Sequence, residues 1–183
     1  MFIQTEPTPN PATLKFLPGR DVLGQGTADF RAPEAAKISP LATRLFAIEG
    51  VKGVFLGSDF ITVTKAESME WPHLKPAILG SIMEHFLAGT PVMEGEDEGS
   101  ESTAAGADDP LAAQIRELID TRVRPAVAQD GGDIVFRGFE NGIVFLHMRG
   151  ACAGCPSSTA TLRHGIENML RHYVPSVVEV RPV

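Results

Sequence analysis

The stretch that most limits how this chain can fold is GTPVMEGEDEGSESTAAGADD, residues 89 to 109. It holds Glu94, Glu96, Asp97, Glu98, Glu101, Asp108 and Asp109 and no basic residue. Seven of the chain's 23 acidic side chains and none of its 16 basic ones lie here, which places the whole net charge of −7 in one run and leaves the rest balanced. Such a run has too little apolar surface to offset the entropy of ordering it, and its like charges repel one another. The 183 residues are therefore expected to fold as two small domains, 1–88 and 110–183, joined by a flexible, disordered acidic linker over 89–109.

Each half mixes helix and strand signals, which predicts an α+β protein of two two-layer domains. In the first half, FIQTE and TLKFL read as short strands around the turn PTPNP. SPLATRLFAIEG offers Ser39 as a helix cap, Pro40 at the first helical position and Gly50 beyond the end. GVFLGSDFITVTK predicts a hairpin with strands near 52–57 and 60–65. From Pro72 to Ala88, Leu74, Ile78, Ile82, Met83 and Phe86 recur at helical spacing. His73 and His85 on that helix read as exposed or hydrogen-bonded.

In the second half, Asp109 caps a helix opening at Pro110, with Leu111, Ile115, Leu118 and Ile119 on its buried face. Pro125 is expected to kink or break it, and QDGGD reads as a chain reversal. Asn141-Gly142 between two apolar runs is a hairpin signal. A helix follows over about 156–173, with Leu162, Ile166, Met169 and Leu170 inward, and SVVEV is expected as the last strand. The predicted order is α-β-β-α-β.

Composition excludes several function classes. No run approaches the roughly 18 consecutive apolar residues of a membrane span. Outside the acidic run there is no basic stripe, so neither nucleic acid nor a membrane is an expected partner. Two cysteines are too few for a disulfide framework, which points to a reducing compartment. The opening MFIQTEPTPNPATLKFLPG lacks a basic start with an apolar core, and Glu6 and the prolines oppose an import helix. The expectation is a bacterial cytoplasmic protein with no targeting segment.

The only thiols are Cys152 and Cys155, in GACAGCPSS. Two thiols at this spacing are half of a tetrahedral metal site or all of a redox dithiol. Pro156 at the first helical position would put Cys155 at the N-cap, where unpaired N–H groups favour the thiolate. Gly150, Ala151, Ala153 and Gly154 leave the sulfurs unscreened, which suits a ligand or nucleophile and not a core. The alternative is a CxxC thiol–disulfide redox protein, since a thioredoxin-like fold also sets this pair between strand and helix. Against it, one strand alone follows the helix, and Ala-Gly stands between the cysteines.

A zinc finger within the chain would need His164 and His172, separated on a helix by about 12 Å of rise, too far for one ion. An iron–sulfur cluster takes four thiolates, and two copies of this chain would supply them. His147 lies on the strand leading to the loop. Arg149 and Arg163 flank it, to offset the charge of a thiolate-ligated cluster or simply as solvated arginines.

Three stretches carry a resemblance. RVRPAVAQDGGDIVF and GACAGCPSSTATLRHGIE are similar to the NifU carboxyl-terminal domain of the Nfu family of iron–sulfur carriers. MFIQTEPTPNPATLKFLPG resembles the Nfu amino-terminal domain. The resemblance implies a 4Fe–4S cluster bridged between two protomers, with Cys152 and Cys155 as the metal ligands. It also implies handing that cluster to apo client enzymes, with other iron–sulfur scaffold proteins upstream. The role is cluster assembly, with no catalytic residue and no enzyme activity expected. Spacing alone leaves a 2Fe–2S cluster and adventitious zinc open.

Overall fold

The computed structural model describes residues 2–24, 26–94, 109–151 and 156–183, and the side chains of all these but 156–158. Most of the acidic run and both cysteines lie outside the described residues. The chain forms two compact units with separate cores.

In the first unit, β1 (Gln4–Pro7), β2 (Thr13–Leu17), β3 (Ala28–Phe30), β4 (Val51–Leu56) and β5 (Ile61–Lys65) form one sheet in the order β1-β2-β5-β4-β3. Every neighbouring pair is antiparallel. Helices α1 (Pro40–Phe46) and α2 (Trp71–Leu87) add Leu41, Leu45, Leu74, Ile78 and Ile82 to the core of Phe16, Val54, Leu56, Ile61 and Val63. Strand β3 went unpredicted because three residues are too few to show alternation; it exists by pairing Ala28 with Leu56 and Phe30 with Val54.

Ser39 caps α1 as expected, its Oγ accepting the Ala42 N–H at 3.1 Å. The same hydroxyl donates to the Val92 carbonyl at 2.6 Å, and the Glu94 N–H donates to the Ile38 carbonyl at 2.6 Å. Val92 and Met93 pack on the core, so the first unit keeps the chain as far as Glu94 and past Ala88. His73 is exposed, but His85 is fully buried, with neither ring nitrogen at ordinary hydrogen-bond geometry to a partner among the described residues, which corrects the bland reading of it. The reason is spacing: Leu74, Ile78, Ile82 and His85 make one helical stripe, and Met83 and Phe86 fall beside it, half-buried.

In the second unit, Asp109 caps α3 (Pro110–Leu118), its Oδ1 accepting the Leu111 N–H at 2.9 Å. Pro125 does not break the helix. The chain widens into a π-helical turn over Ile119–Val123 and continues as α4 (Arg124–Gln129), with Pro125 in the first turn. The wider turn removes the clash between the proline ring and the carbonyl four residues back. It also corrects the drift that apolar residues at every fourth position would show on a pure α-helix. Ile115, Ile119, Val123 and Val127 thus stay in one core.

Strands β6 (Gly132–Glu140) and β7 (Ile143–Gly150) pair antiparallel around Asn141 (φ 53°) and Gly142 (φ 80°), the two-residue turn the sequence predicts. After α5 (Pro156–Tyr173), β8 (Glu179–Pro182) lies parallel to β7, giving the order β6-β7-β8. The last strand begins later than SVVEV. The Val177 N–H is held by the Val174 carbonyl at 3.0 Å, and ladder pairing starts only at Glu179, opposite Ile143. Val144, Leu146 and Met148 of β7 face the helices; Ile143, Phe145 and His147 alternate with them. The architecture is the expected two-layer α-β-β-α-β. No helix among the described residues is long and apolar enough to cross a membrane.

Candidate functional site

A strand precedes the cysteine segment and a helix follows it. Strand β7 ends at Gly150, whose φ of 67° is left-handed. The next residue, Ala151, is buried and donates its N–H to the Gly131 carbonyl at 3.2 Å. Helix α5 opens at Pro156, the position the sequence predicts for it. Residues 152–155, which include Cys152 and Cys155, follow the end of that strand in the sequence and precede the helix, and lie outside the described residues.

What holds the entry side is an arrangement the sequence reading missed. Gly131, at φ 78°, closes α4 by donating to the Ala128 carbonyl at 3.0 Å. The following residues open β6, pairing Gly132 with Gly150 and Asp133 with Arg149. Asp133 is only 3% exposed. The guanidinium of Arg124, first residue of α4, donates Nε to its Oδ1 at 2.9 Å and Nη2 to its Oδ2 at 3.0 Å. This two-pronged bond raises the Arg124 pKa, against the opposing effect of its partial burial. Arg124 Nη1 also reaches Asp120 of the π turn at 3.5 Å. QDGGD had been legible only as a reversal. The available signal was an acid heading the apolar run DIVF, a place where a carboxylate must find a partner.

The other flanking residues sort differently. Arg149 is buried, so the solvated reading fails for it. Arg163 is half-buried, and its Nε is buried with no hydrogen bond among the described residues. His147 is half-buried, its Nδ1 2.9 Å from the Val183 backbone oxygen; that oxygen only accepts, so Nδ1 carries the proton. His164 and His172 are exposed on α5. Among the described residues, no group of three or more His, Cys, Asp or Glu could hold a metal ion. An open groove of about 420 Å³ along α3 is lined by Arg116, Asp120 and Phe136 among others, with no imidazole among the described residues that line it.

Comparison with known proteins places this frame. The family model for the scaffold protein Nfu/NifU N terminal matches residues 3–89, and that for the NifU-like domain matches residues 115–181. A relative in Drosophila virilis, named NFU1 iron-sulfur cluster scaffold homolog, mitochondrial, is 53% identical over 184 residues, covering 100% of this chain and 62% of the relative. The Homo sapiens protein of the same name is 53% identical over 184 residues, covering 100% of this chain and 72% of the relative. The chain thus spans less than two thirds of the Drosophila virilis relative's length. A solution structure of a NifU-like protein from Saccharomyces cerevisiae superimposes with a TM-score of 0.48 at 28% identity, over 52% of this chain and 87% of that one. The Drosophila virilis and Homo sapiens relatives are named as mitochondrial, which overturns the expectation of a bacterial cytoplasmic protein. That expectation rested on the cysteine count and the first residues, and neither reports where a protein of this family works.

Proposed function

Because the chain belongs to the Nfu/NifU family of scaffold proteins, we propose that it carries an iron–sulfur cluster and passes it to apo-proteins. Cys152 and Cys155 are the ligands, and the cargo is a 4Fe–4S cluster shared between two protomers. One observation carries the reading: the chain has two cysteines and no more, set in the family's NifU-like domain. Two thiolates fill half of a four-thiolate set, and a second copy fills the rest.

Transfer is then ligand exchange at iron. A client thiol loses its proton and replaces one carrier thiolate, which takes a proton from solvent; the oxidation state of iron need not change. Sharing the ligands between two chains lets the cargo leave one pair at a time, with no general base or nucleophile required. The role is that of a carrier and not of an enzyme. Its partners are a second copy of itself, iron–sulfur clients and an upstream scaffold. The acidic run serves as the tether between the two domains.

Anaerobic reconstitution with iron and sulfide tests this. Cluster and dimer should appear together, at about one cluster per two chains. Cys152→Ala and Cys155→Ala should each abolish both while leaving the far-UV circular dichroism unchanged. The loaded dimer should activate an apo 4Fe–4S dehydratase in the presence of an iron chelator. A loaded monomer, or activation that the chelator abolishes, would overturn the carrier reading. Metal analysis separates an iron-bridged dimer from a zinc-bridged one.

A further inference from the structure

We propose that Asp133 and Arg124 are positioning residues for the turn that carries Cys152 and Cys155. They hold its entry strand against α4, and that hold slows loss of the cargo. This rests on the reading that those cysteines are the ligands, and it names what holds them.

Three observations support the assignment. The first is location. Asp133 pairs in register with Arg149, one step inside the Gly132–Gly150 pair that opens directly onto Ala151 and the turn. The second is what grips the strand end. Gly132 and Gly150 offer no side chain across the strands, whereas the Ala151–Gly131 hydrogen bond and Asp133 both tie it down. Asp133 is anchored by the Arg124 fork, bonds of 2.9 and 3.0 Å to a carboxylate that is almost fully buried.

The third is chemical. A buried ionic contact is a poor way to gain stability, because desolvation offsets most of the attraction and an apolar pair would serve as well. What the fork supplies is direction. Two parallel N–H···O bonds fix the carboxylate in angle as well as distance, and with it the backbone of β6 relative to α4. Arg124 follows the π turn and also reaches back to Asp120 within it, so the widened turn and the fork form one unit. Neither residue needs to touch the cluster.

The test uses the full chain as Asp133→Asn, Arg124→Lys and Cys152→Ala. In the apo protein, the Ala151 amide should exchange with deuterium roughly tenfold faster in Asp133→Asn and Arg124→Lys, with the amides of α5 and β8 unchanged. After reconstitution, both variants should lose cluster to a chelator several-fold faster than wild type at the same iron-to-sulfide ratio. Arg124→Lys keeps the charge and removes the fork, so wild-type behaviour in both measurements would overturn the proposal. Should Asp133→Asn fail to fold, Arg124→Lys, changed at a half-exposed side chain, still decides. Cys152→Ala separates the two readings. If it loads normally, the cysteine assignment falls. If it cannot load while the other two match wild type, the cysteines stand and the positioning role falls.

Discussion

His85 has no exposed surface, and burial holds its imidazole pKa below the ordinary 6.5. The positive charge of Arg44 lowers it further, against a smaller raising effect from the Thr90 backbone. Arg44 is itself paired with Glu84 at 3.1 Å. The unfolded chain thus takes up this proton at a higher pH than the folded one. The contribution of neutral His85 to stability is fully present above pH 6.5 and is lost as pH falls through the folded value. Trp71, the chain's one tryptophan, lies in the first domain and reports its unfolding. Urea midpoints followed at Trp71 should fall on acidification below pH 6.5, and the fall should be shallower in His85→Leu. At and above pH 6.5 the variant should be as stable as wild type or more so, by about 1 kcal/mol, since it replaces a buried polar ring with an apolar side chain. Parallel pH profiles for the two proteins would rule this account out.

At the scale of elements, the hairpin of the second domain depends on a glycine. A Cβ on Gly142 would lie 2.7 Å from Val178 Cγ2 and 3.0 Å from the Ser176 carbonyl oxygen, at a φ of 80°. The left-handed backbone alone costs a non-glycine residue about 1–2 kcal/mol, and the Ser176 carbonyl is backbone that cannot simply rotate away. Gly142→Ala should lower the stability of the second domain by at least about 2 kcal/mol. Gly165 on α5 has nothing among the described residues within 4 Å of the same added atom. Gly165→Ala should therefore stabilise by up to about 1 kcal/mol. Thermal unfolding followed at Tyr173, the only tyrosine, reads both, and the Trp71 transition should stay where it is. Equal effects at the two glycines would mean that the turn tolerates a side chain.

At the scale of the whole molecule, the two cores have no residue in common, so each domain should unfold by itself. Where the first domain ends can be measured. A fragment of residues 1–94 keeps Val92 and Met93 on the core and the Val92 carbonyl on Ser39. A fragment of residues 1–88 loses all three. It should be less stable by about 1–3 kcal/mol in urea unfolding at Trp71, from lost apolar burial and an unmade bond at a buried hydroxyl. Equal midpoints would return the boundary to Ala88.

Signals that depend only on chain neighbours were legible in advance. Ser39-Pro40 and Asp109-Pro110 cap helices, and Asn141-Gly142 turns a hairpin, because each acts through backbone groups within a few residues. The spacing of Cys152 and Cys155 is local in the same sense. What the sequence could not show depends on partners remote along the chain. Strand β3 exists only beside β4, and His85 is buried only because the stripe it shares with Leu74, Ile78 and Ile82 meets the core. Pro125 is absorbed because Ile119, Val123 and Val127 are held together by a shared core, which favours a wider turn over a break. The frame around the cysteine turn is of this second kind. Arg124 opens the helix before β6 and Gly131 follows its end, and Gly131 meets Ala151 only once β6 has paired with β7, a contact that no local pattern encodes.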